Sequence, residues 1–266
     1  MSVRNTFEEH KLFKSLMLKN IELMKQLLVF EKALEKGSDG FIRHECNYYQ
    51  YYIISSVKAV SNLIDWFEQL EQSIAYIEHQ KIDKELEEHK INHVTDLQFK
   101  IENHLIRLES LYDRLLMTSN CLLNLGISDN SLCHELVVGN YNVKYYNVDI
   151  VLKAVKAVLK PYKEIRNSII HHRSYNGPGL LDLSALHYLE NVEYDLDGLE
   201  KIKKEKPSEE IAKLLKELYI EEFKKLNDKL NEKIIEAFNL LNTVFLYEEK
   251  VAQVKHQLTT GSTGRS

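Results

Sequence analysis

Helix breakers are so few in this chain, and so tightly grouped, that most of its length can only be long α-helix. Nine glycines and three prolines serve 266 residues, too few for the many tight turns of a sheet protein. Between the breakers, apolar residues recur at the helical period. Phe13, Leu16, Met17, Ile21, Met24, Leu27 and Leu28 predict a first helix over 6–36, stopped by Gly37-Ser38-Asp39-Gly40. A second, from about 42 to about 78, runs through Tyr48, Tyr52, Val57, Val60, Ile64 and Phe67 with no glycine or proline inside it. Unbroken, it would exceed about 50 Å. A charged turn within 80–92 precedes a third helix that ends at Gly126.

The stretch 127–147, with Gly139 and several Asn and Asp residues, predicts an irregular connection holding at most one helical turn, around 131–137. Helicity resumes after Asn147 and ends near Tyr175, with Pro161 either kinking that helix or opening a new one. Asn176-Gly177-Pro178-Gly179 reads as a loop. A short helix follows over 184–191, and Pro207-Ser208-Glu209-Glu210 starts a last long helix reaching about His256. The apolar stripes are wide, as in a bundle, and nothing repeats at a solenoid period. The expectation is an all-α bundle of long antiparallel helices. An N-terminal helix (1–40) packs on the bundle (41–256), and a disordered polar tail (257–266) ends the chain.

Charge and cysteine usage narrow the function. A formal charge of −5 gives no whole-molecule attraction to polyanions, so nucleic-acid contact must rest on a local basic patch, and a histone-like role is disfavoured. Cys46, Cys121 and Cys133 lie far apart with no CxxC pair, which suits free thiols in a reducing compartment. No stretch approaches about 18 uncharged apolar residues, and the first thirteen residues carry several charges, so no membrane span and no leader are expected. A cytoplasmic location follows. The chain has no Gly-rich phosphate loop, HExxH motif or GxSxG elbow, and no cofactor is assigned.

The chemically telling segment is Tyr162 to Tyr175, YKEIRNSIIHHRSY. Arg166, the polar Asn167, three more residues and then His171 resemble the Arg-x4 to x6-His motif of the HEPN superfamily, the higher eukaryotes and prokaryotes nucleotide-binding domain. The resemblance covers about 40–250. It implies an all-α bundle and, for catalytic members, a metal-independent endoribonuclease working as a homodimer with the two motifs facing one cleft. Cleavage would leave a 2′,3′-cyclic phosphate and a 5′-hydroxyl. A toxin or antiviral effector restrained by an antitoxin or other regulatory protein fits that class.

Helical geometry supports the motif independently. With Arg166 at zero and 100° per residue, Asn167 falls near about 100°, His171 near about 140° and His172 near about 240°. Arg166, Asn167 and His171 thus share a side, which makes His171 the first choice as catalytic histidine, although the family spacing also admits His172. Histidine titrates near neutrality and suits proton transfer. Arginine is permanently charged and binds phosphate oxygens in a fork. Asn167 can orient the His171 ring or contact the phosphate. Each alone is commonly structural, with Arg166 paired to a carboxylate and the histidines satisfied at an interface.

Lys153, Lys156, Lys160 and Lys163 lead toward Arg166 and Arg173. Lys160, Lys163 and Arg173 are candidate substrate-binding residues, weighed against a merely solvated helix face. The run Asn47 to Tyr52 could stack bases, although such tyrosines more often line a helix interface. Glu85, His89 and His93 share a helical spacing but lack a further firm ligand, so no metal is assigned. The leading reading is an RNA-cleaving enzyme; the alternative is a non-catalytic HEPN-like nucleotide-binding or protein-interaction scaffold.

Overall fold

The computed structural model describes residues 3–31, 46–79, 88–89, 91–171, 174–192, 199–205 and 207–261. Of these, 88% are helical, and no strand occurs among them. The helices are α1 (Val3–Glu8), α2 (Lys11–Glu31), α3 (Tyr48–Glu78), α4 (His93–Leu122), α5 (His134–Gly139), α6 (Tyr141–Tyr145), α7 (Val148–His171), α8 (Leu180–Asn191), α9 (Leu199–Glu205) and α10 (Pro207–Gly261).

Local capping chemistry sets several helix starts. At α3, Gln50 N–H donates to Asn47 Oδ1 at 2.9 Å while Asn47 N–H donates to Gln50 Oε1 at 3.0 Å, a reciprocal capping box. That exchange starts the helix at Tyr48; the start expected near 42 lies outside the described residues. At α4, Asn92 Oδ1 accepts from Val94 N–H at 2.9 Å and Thr95 N–H at 3.0 Å. The single first helix expected over 6–36 is instead two. Leu12 N–H donates to His10 Nδ1 at 3.1 Å, so the histidine caps α2 and the chain turns at Glu9-His10. The stop expected at Gly37–Gly40 lies outside the described residues.

The region 127–147 is more helical than expected. A 3-10 turn over Asp129–Ser131 and the two short helices α5 and α6 occupy it, with Asn140 capping α6 through Asn142 N–H at 2.9 Å. Asn and Asp residues here cap short helices as well as form turns. α7 runs through Pro161 without ending; its described part reaches His171, and the chain is no longer helical at 174 and 175.

The chain divides into two compact units, 1–67 with 111–157 and 231–266, and 68–110 with 158–230. Helices α3, α4, α7 and α10 each contribute a segment to both. In the first unit Phe7, 1% exposed, packs against Phe67 and Phe238 with ring centroids 5.7 and 5.1 Å apart. Leu12, Leu16 and Leu23 bury the inner face of α2, while Ile21 and Met24, expected in the stripe, are exposed. Tyr52 is buried and its hydroxyl donates to Leu122 O at 2.9 Å; Tyr49 hydroxyl donates to the buried Glu249 at 3.2 Å. Those two tyrosines are packing residues, and Tyr51 faces outward. In the second unit Leu70, Ile77, Leu97, Ile101, Leu105, Leu183 and Phe223 form the core.

Candidate functional site

The motif occupies the last turns of α7. Buried Val151, Leu152, Val155 and Leu159 give that helix its inward face, and beyond Pro161 the burial thins. Ile165 to Ile169 are half-buried, and Ile170 and His171 are exposed. Arg166 Nη1 donates to Asn167 Oδ1 at 3.0 Å. The Arg166 Nε is buried and finds no acceptor among the described residues. A guanidinium N–H left in that state costs about 1–3 kcal/mol unless an acceptor is brought to it.

The structure therefore joins Arg166 and Asn167 directly. Asn167 Oδ1 is engaged by the neighbouring arginine, an acceptor well placed to hold the fork. His171 is the last residue of α7, and His172 and Arg173 lie outside the described residues. Lys160 and Lys163 are exposed. Upstream, Lys153 is paired with Asp149 at 2.7 Å and Lys156 with Glu135 at 3.3 Å, so those two are already offset by carboxylates.

Five residues that sequence reasoning did not assign surround the motif. Tyr162, one turn before Arg166, donates its hydroxyl to Glu222 Oε1 on α10 at 3.0 Å. Burial first, and then the Glu222 carboxylate, push the Tyr162 phenol above its ordinary range. Beyond the motif, Tyr175 N–H donates to Glu102 Oε1 at 2.6 Å and Gln98 Nε2 donates to Tyr175 O at 3.0 Å. Of these, only Tyr162 and Tyr175 carried a signal, by their position at the two ends of the quoted segment.

Four other histidines stand apart from the motif. His104 is fully buried and stacked on Phe223. His93 meets Ser208 Oγ at 3.2 Å and lies edge-on to His187, His89 is exposed, and Glu85 lies outside the described residues. No three-ligand metal group occurs among the described residues.

A family model described as Cthe2314-like HEPN matches residues 54–249, about three quarters of the chain and all of α7. The chain belongs to this HEPN family. No curated protein and no solved structure matches it. The HEPN match spans both compact units, and the Arg166 segment lies within the matched residues. No described helix of this HEPN protein is long and apolar enough to cross a membrane.

Proposed function

We propose that this HEPN protein is a metal-independent endoribonuclease, with Arg166, Asn167 and His171 as its reacting groups. The observation that carries the proposal is the Arg166–Asn167 pair: a half-buried guanidinium, oriented by its neighbour at 3.0 Å, with a buried Nε that has no acceptor among the described residues. A phosphate oxygen is the acceptor that such a fork favours. In the reaction the 2′-hydroxyl oxygen attacks the adjacent phosphorus and loses its proton to a histidine. The bond to the 5′-oxygen breaks, and a second proton goes to that leaving oxygen, giving a 2′,3′-cyclic phosphate and a 5′-hydroxyl. Arg166 offsets the charge gathered on the phosphorane oxygens. One protomer offers one such constellation, so a homodimer with two motifs at one cleft supplies both proton-transfer partners. Lys160, Lys163 and Arg173 guide the RNA backbone. A regulatory partner and a cytoplasmic setting belong to the same proposal.

The test is incubation of the purified protein with mixed RNA in EDTA, beside its mass in solution by light scattering. Cleavage with cyclic-phosphate ends by a dimer is expected. A dimer that binds RNA and leaves it intact would favour the scaffold reading, for which the Arg166–Asn167 pair alone suffices to hold a phosphate. A monomer at micromolar concentration would count against the shared cleft.

A further inference from the structure

The backbone just past the motif is held in an unusual way. Gln98 and Glu102 lie one turn apart on α4, hence on one face. Between them they take both polar backbone groups of a single residue, Tyr175, through Gln98 Nε2 to its carbonyl at 3.0 Å and its N–H to Glu102 Oε1 at 2.6 Å. The second is a charge-assisted bond, stronger than a neutral one. Further contacts hold the same loop. The Tyr175 ring meets Tyr219 edge-on at 6.5 Å, and Tyr219 hydroxyl donates to Pro178 O at 3.2 Å. A Cβ at Gly177 would stand 2.2 Å from Tyr175 Cζ, so only glycine lets the ring lie there. On the other side of the motif stands the Tyr162–Glu222 bond. Arg166 to His171 are thus bracketed by anchors to α10 before them and to α4 after them.

We propose that Gln98 and Glu102 are positioning residues of the ribonucleolytic site, holding the chain at Tyr175, four residues past His171, and thereby restricting where that histidine stands. The inference rests on the proposed function above. Neither side chain acts on RNA. Their contribution is geometric, since reacting groups must be held to within about 0.5 Å and a misplacement of about 1 Å costs on the order of 100-fold in rate.

The experiment compares Glu102→Ala, Glu102→Gln and Gln98→Ala with wild type in the full chain. It reads kcat and KM on RNA, amide exchange at Tyr175, the histidine ring resonances and the unfolding midpoint. Glu102→Ala should lower kcat by about 10- to 100-fold with KM changed less than about 3-fold, and should speed Tyr175 exchange. Glu102→Gln keeps an acceptor oxygen and should recover most of both. Gln98→Ala, which loses one neutral bond, should fall between them. Unchanged kcat in Glu102→Ala would overturn the proposal. So would a loss that Gln does not rescue and that follows the unfolding midpoint, because that is a merely structural role. Should wild type not cleave RNA, the catalytic reading falls by itself, and the positioning role is then decided by resonance: His171 ring signals unmoved by Glu102→Ala would overturn it, and moved signals rescued by Gln would sustain it.

Discussion

Lowering the pH from 7 to 5 should destabilise this protein by way of one buried imidazole, and the size of the effect follows from the structure. His104 is 0% exposed, its ring stacks on Phe223 at 3.9 Å, and its Nδ1 lies 2.7 Å from Ser73 Oγ. Ser73 spends its hydroxyl proton on Leu70 O at 2.7 Å, so His104 donates from Nδ1, and burial keeps the ring neutral. Its buried Nε2 has no hydrogen-bond partner among the described residues. Burial pulls its pKa down to about 3 from an ordinary 6.5. Because the folded value is the lower one, the unfolded chain takes up the proton first as pH falls, and stability drains between about pH 6.5 and pH 3. Between pH 7 and pH 5 the loss is about 2 kcal/mol, with a ceiling of roughly 5 kcal/mol reached near pH 3. His104→Phe keeps a ring on Phe223 and leaves Ser73 bonded to Leu70, so it removes the titration with little repacking. Urea unfolding followed by circular dichroism, for both proteins at both pH values, cancels the carboxylates common to the two. Wild type should lose about 2 kcal/mol more than His104→Phe. Equal losses would show that this histidine is not a buried neutral group.

Other consequences are quicker to state. Phe7→Ala leaves a cavity between Phe67 and Phe238 and should cost about 3–5 kcal/mol in denaturant unfolding; a loss under about 1 kcal/mol would mean that α1 does not hold its place in the first unit. Gly179 has φ +76° and a Cβ there would stand 2.5 Å from Leu215 Cδ2, whereas Gly126, at φ +70°, has nothing within 4 Å. Gly126→Ala should therefore cost about 1 kcal/mol from backbone strain alone, and Gly179→Ala more; the reverse order in thermal unfolding would refute the contact. On RNA, His171→Ala and Arg166→Ala should each slow cleavage on the order of 100-fold or more, with Arg166→Lys recovering part and His172→Ala mattering less. Loss of cleavage with His172→Ala but not with His171→Ala would reassign the histidine.

Much of the architecture was legible because it is written within four or five residues. Scarce breakers gave long helices, Pro207 opens α10 where its fixed φ suits a first helical position, and the loop 176–179 falls where glycine and proline cluster. The misreadings were local too, but hinged on a side chain choosing a backbone partner. His10 caps α2 and splits the first helix, and Asn47 with Gln50 caps the start of α3. Histidine is a weak predictor of such a cap, and both capping and interior positions are open to Asn and Gln until packing decides.

For the candidate site, the sequence alone determined which residue types stand within a turn of each other on α7, since 100° per residue is a property of the backbone. The resemblance on Arg166 and His171 pointed to the HEPN family for the same local reason. Only the tertiary structure decided that Asn167 serves Arg166, that Tyr162 meets Glu222, and that Tyr175 is held by Gln98 and Glu102. Those last partners stand 60 to 77 residues away along the chain. Which distant groups meet depends on how whole apolar faces of α4, α7 and α10 pack, a sum over many side chains that no short spacing records.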